Sequence, residues 1–108
     1  MAFSRSSVAG VALSGTPSTL LSAVSGETVV IGLVVANVGT STDTITVYIE
    51  DNAGTPNQYH LIKAAPIPIG STLSVLDGKV VLGSGDSVKC YAGTSATALE
   101  ATISVLTI

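Results

Sequence analysis

The 108-residue sequence predicts an all-β fold: an antiparallel β-sandwich of jelly-roll or Greek-key type with about eight short strands. Three observations predict it. Apolar and polar residues alternate in twos through much of the chain, turn-forming clusters recur about every ten residues, and no stretch carries a helical period. The length predicts one domain over 1–108, able to bury roughly two-thirds of the surface its unfolded chain exposes.

Residues 3–11 are weakly patterned and rich in small side chains. Segment 1–17 is therefore read as an N-terminal arm that orders on a neighbour, with an edge strand as the alternative. Gly15-Thr16-Pro17 is a turn signal, and a short strand over 19–24 ends at Ser25-Gly26. Residues 27–37, ETVVIGLVVAN, are β-branched and apolar at both parities, which predicts a central strand covered on both faces. Gly32 would relieve crowding there, where another layer approaches. After the polar loop 39–43, Ile45, Val47 and Ile49 alternate with Thr44, Thr46, Tyr48 and Glu50, predicting a strand whose second face meets solvent or a partner.

Residues 51–57, DNAGTPN, form the most turn-rich loop, and 58–65 should pair back as a hairpin. Pro66-Ile67-Pro68-Ile69-Gly70 cannot be helical, because two prolines fix φ and remove donors; a crossing between sheets or an edge suits it. Leu76-Asp77-Gly78-Lys79 places an Asp-Gly turn between apolar runs at 73–76 and 80–82, the signature of a tight hairpin. The Gly83-Ser84-Gly85-Asp86 turn opens 87–92, where Val88, Cys90 and Ala92 point inward. Leu99, Ala101, Ile103 and Val105 then oppose Glu100, Thr102 and Ser104 in a half-buried last strand.

Composition narrows the function classes. Charged residues are 10% of the chain, against about 25% in ordinary soluble proteins, while 46% are hydrophobic. Such a surface of Ser, Thr, Gly, Asn and Ala suits burial in an assembly. The four cations, Arg5, Lys63, Lys79 and Lys89, are dispersed in a chain of net charge −3, so no basic patch is expected for nucleic acid or an anionic membrane. The most apolar run, 29–38, is far short of the roughly 20 residues a spanning helix needs. Ser6, Ser7 and Gly10 interrupt the N-terminus, so no signal peptide is read and synthesis in the cytoplasm is expected. Cys90, alone and inward, reads as core filler.

Catalysis finds no support in these residue types. His60 is the sole histidine, between Tyr59 and Leu61, with no G-x-S-x-G nucleophile motif to serve. One His and one Cys cannot build a transition-metal site, and Asp43, Glu50, Asp51, Asp77 and Asp86 lack the spacing of a calcium loop. Gly83-Ser84-Gly85 precedes a strand, whereas a phosphate cradle precedes a helix. The expectation is no enzyme, no cofactor and no metal. A carbohydrate platform would have to come from Tyr48, Tyr59 and Tyr91; Tyr48 and Tyr91, on the polar parity of their strands, serve equally as anchors in a protein contact.

The run Ala65-Pro66-Ile67-Pro68-Ile69-Gly70-Ser71, then LSVLDGKVVLGSGDSVKCYA and the terminal LEATISVLTI, resembles small β-sandwich virion proteins of tailed bacteriophages. The resemblance covers about 26–108 and leaves the N-terminal segment unmatched. It implies a virion component without catalytic residues, most naturally a capsid decoration (cement) protein on the major capsid lattice, as a homotrimer. A neck, collar or tail-fibre element is the alternative, and a carbohydrate-binding module is an alternative of another class. The contact residues expected are Phe3, Tyr48, Tyr91, Leu106 and Ile108.

Overall fold

A computed structural model describes residues 1–51, 57–76 and 78–108. Nine strands form among them: β1 (Ala2–Ala9), β2 (Ser18–Leu21), β3 (Thr28–Asn37), β4 (Asp43–Glu50), β5 (Gln58–Ile67), β6 (Thr72–Ser74), β7 (Val80–Leu82), β8 (Ser87–Ala92) and β9 (Leu99–Thr107). One sheet has the order β1-β9-β3-β6, with β7 also on β3; the other has the order β2-β8-β4-β5. All the strand pairs are antiparallel.

The pairing defines the topology. The chain folds back on itself at β4–β5, and each earlier strand pairs with its later counterpart: β3 with β6 and β7, β2 with β8, β1 with β9. A long hairpin wrapped so that its strands fall alternately in two sheets is a jelly roll. Its core is made by the inward parity of both sheets, including Leu33, Val35, Ile103 and Val105 from one and Leu20, Ile45, Val47, Val88 and Cys90 from the other.

Several expectations hold. The hairpin β4–β5 forms, and the Pro66–Gly70 stretch carries the chain from one sheet to the other, with Ser71 N–H donating to Pro68 O at 3.1 Å and Gly70 at φ 74°. The Gly83–Asp86 turn closes by Asp86 N–H to Gly83 O at 3.1 Å and by Gly83 N–H to Asp86 Oδ2 at 2.9 Å.

Others are corrected. The segment read as an arm is the edge strand β1 from Ala2 to Ala9, paired along its whole length with β9. The apolar runs flanking Asp77 do not pair with each other: β6 lies along Val34–Ala36 and β7 along Thr28–Val30 of the same neighbour. Both run antiparallel to β3, so they are two halves of one edge, because ten-residue β3 offers more edge than either three-residue run covers. Asp77 itself, like 52–56 of the predicted loop, lies outside the described residues.

β3 is central within its sheet but covered on one face only; Val34 is 41% exposed on the other. Its apolar character at both parities comes partly from a register shift between Val30 and Gly32, after which inward positions change from even to odd. Gly32 therefore serves a bulge, not a close layer: a Cβ there would have its nearest neighbour, Ser104 Cβ, at 4.0 Å.

Candidate functional site

The outer face of the β1-β9-β3 sheet gathers three of the five expected contact residues. Phe3 lies opposite Leu106, Leu106 opposite Val29, and Val29 opposite Val81, giving one apolar row across four strands. Phe3 is 75% exposed, Val81 66% and the neighbouring Ile108 66%, with Leu106 and Val29 half-buried. Ile108 is held to the sheet by its N–H to Glu27 O at 3.2 Å. The rest of this face is mostly small and polar, with Ser7, Ser74, Thr102 and Ser104. Apolar side chains aligned in a row, not scattered singly, form the kind of patch that marks a contact surface.

Behind this row, at the same end of the sandwich, an open groove of about 260 Å³ runs between Ser4, Thr28, Val105 and Thr107 of one sheet and the 21–25 segment of the other. Its polar groups are hydroxyls and backbone, which can hydrogen-bond, and the residues that line it carry no titratable side chain. Among the described residues, no group of three or more His, Cys, Asp or Glu side chains gathers where it could hold a metal ion.

Tyr48 and Tyr91 lie elsewhere, on the outer face of the other sheet. Tyr91 is half-buried, but Tyr48 is 3% exposed, and this corrects the reading of its face as open. The cause is its place on β4 between β8 and β5: the Tyr91 ring lies 6.5 Å away at 59° and the His60 ring 5.5 Å away at 45°, and both lean over it. Burial, and next the Glu50 carboxylate, push the Tyr48 phenol above its ordinary range. Lys89 and Glu50 pair at 3.1 Å on the same face. Tyr59 pairs with Ile49, on the opposite parity from His60, so the three tyrosines do not form one sugar platform.

The polar residues that most clearly organise an end of the molecule are Asp43, which the sequence offered only as a calcium ligand to be set aside, and Asn37, to which it gave no role. Asp43 is buried and accepts N–H groups from Thr44 (2.7 Å), Gly93 (3.1 Å), Thr94 (2.9 Å) and Ser95 (2.9 Å). Burial raises its carboxyl pKa, but the N–H groups of Thr44, Thr94 and Ser95 outweigh it and hold the group below 3.8. Gly93 is required here, since a Cβ at that position would collide with Thr44 Oγ1. Asn37, also buried, donates its amide to Ser41 O (2.9 Å) and Ile67 O (2.8 Å) and accepts Gly39 N–H (2.9 Å). Both side chains have their hydrogen-bonding groups filled from within the fold, Asp43 largely by the 93–95 segment and Asn37 partly by Ile67 at the end of β5, and are structural ties. The nearest sequence signal was their position at strand ends.

Cys90 is buried in the core as expected, and burial pushes its thiol up to about 11. Compared with protein-family models, curated proteins and solved structures, the chain matches none.

Proposed function

We propose that the chain is a non-enzymatic structural protein of a bacteriophage virion, a decoration protein that docks on the major capsid lattice through the outer face of the β1-β9-β3 sheet. The observation that carries this reading is the exposed row Phe3–Leu106–Val29–Val81, with Ile108 beside it. An uncharged, rigid strip held by four strands is suited to burial against a flat protein surface, with little conformational entropy to lose. Jelly rolls recur in viral capsid proteins as well as in lectins, which makes the fold compatible without assigning the role. Docking to assembled shell, and not to its dissociated parts, would stabilise the shell by mass action.

The test is the copy number of the chain per purified virus particle, by quantitative mass spectrometry against the major capsid protein. Hundreds of copies are expected for a decoration protein. A handful would move it to the neck, collar or fibres, and absence from particles would sink the virion reading. In the same preparations Phe3→Glu should abolish capture by shells. Its melting temperature should be unchanged, because Phe3 is largely exposed.

A further inference from the structure

The long free edge of the molecule is the outer side of β1, and it differs from the other edges. β5 is interrupted by register shifts, a residue at positive φ (Ala64, 52°) and Pro66. β2 is four residues long with a shift of its own, and β6 and β7 have three residues each. Bulges, prolines and shortness are the usual devices that keep an edge from adding another strand. β1 has none of them: eight residues, AFSRSSVA, in unbroken register with β9.

Gly10 donates its N–H to Leu99 O at 3.1 Å. Counting back in twos along the antiparallel ladder, Val8, Ser6, Ser4 and Ala2 turn their backbone groups toward β9, and Ala9, Ser7, Arg5 and Phe3 turn theirs outward.

On the outer face of the five strands, the formal charges are Arg5 and Glu100. They cannot pair within one molecule, because Arg5 stands opposite Ser104 and Glu100 opposite Ala9, four residues apart along the sheet, or about 13 Å. A second copy changes this. If two β1 strands pair antiparallel about a two-fold axis at Ser7, each Arg5 falls opposite Ala9 of the other copy. Glu100 of that copy is then next in the same row, about 10 Å away across a methyl side chain, within the combined reach of the two side chains. The axis at Arg5 sets the two guanidinium groups against each other, and the axis at Ser6 leaves Arg5 opposite Ser7.

We propose that the chain forms a two-fold dimer by antiparallel β1–β1 pairing centred on Ser7, joining two sheets into one and closing two Arg5–Glu100 ion pairs across the axis. The contact is isologous and self-complementary, as a two-fold interface must be. It uses the strand edge and not the apolar row, so it stands or falls independently of capsid docking.

Sedimentation equilibrium over a concentration series of the full chain tests it. Dimers are expected for the native protein. Ser7→Pro removes an outward N–H, which an edge strand tolerates, and should give monomers that still unfold cooperatively with a melting temperature independent of protein concentration, whereas that of the native dimer rises with concentration; Ser7→Ala, which loses only the side-chain bond to Thr102, should remain dimeric. Arg5→Glu should weaken the dimer about tenfold, and Arg5→Glu combined with Glu100→Arg should restore it. A monomer at every concentration, a trimer, or a dimer unaffected by Ser7→Pro overturns the proposal. So does failure of the charge swap to restore what Arg5→Glu loses.

Discussion

Asp43 ties the strand it begins to a loop fifty residues further along, and it does so as a carboxylate. Four N–H groups, partly exposed to solvent, converge on its two oxygens, so an alanine would exchange these charge-assisted bonds for water and cost about 2 kcal/mol. The folded carboxyl is held below its ordinary 3.8, so its contribution is present above that value and is lost as pH falls through the folded pKa. Asp43→Ala should therefore lower stability in urea titrations at neutral pH by about that amount, and the gap from the native protein should narrow only below about pH 4. A gap unchanged in acid would show that the charge is not the tie. Tyr48 teaches a related lesson at the same scale. Strand parity places it correctly on the outer face, but burial depends on the Tyr91 and His60 rings, which arrive from two other strands.

At the scale of elements, edge chemistry separates β1 from β5. In β5 the chain spends an extra residue near Ala64, whose N–H turns to the Thr46 hydroxyl at 3.0 Å instead of a ladder carbonyl. Alanine at φ 52° carries the penalty of the left-handed region, so Ala64→Gly should raise stability by up to about 1 kcal/mol. That is a gain of several degrees in melting temperature, readable by calorimetry. A fall would mean that the glycine's extra freedom in the unfolded chain outweighs the relieved strain. The element pattern also explains why a tight hairpin was expected at Asp77. Apolar runs flanking Asp-Gly pair with each other when no longer partner is available, and here β3 is that partner for both.

For the whole molecule, the wrapped hairpin makes almost every sheet contact distant in sequence: Ala2 pairs with Thr107, and Ser18 with Cys90. Closing such loops costs entropy before the contacts that repay it exist, so folding should be slow for this size, in the millisecond-to-second range by stopped-flow refolding. A microsecond phase carrying the full amplitude would contradict the topology. The same wrapping lays the first, third and last long strands side by side. That is why Phe3, Val29 and Leu106, dispersed along the chain, form one strip on one face.

What the sequence determined by itself was whatever depends on neighbours a few residues apart. The period-two alternation of Val88, Cys90 and Ala92, and of Leu99 to Val105, placed the core. Pro66 and Pro68 marked a non-helical stretch suited to a crossing or an edge, and the shortage of charge described the surface. Tertiary structure alone decided which strands lie side by side. From that followed the burial of Tyr48, the single covered face of β3, the pairing of 2–9 as an edge, and the convergence of the 93–95 N–H groups on Asp43. The physical reason is that side-chain parity is set by the local backbone, whereas register and cover are set by strands that arrive from the far end of the chain.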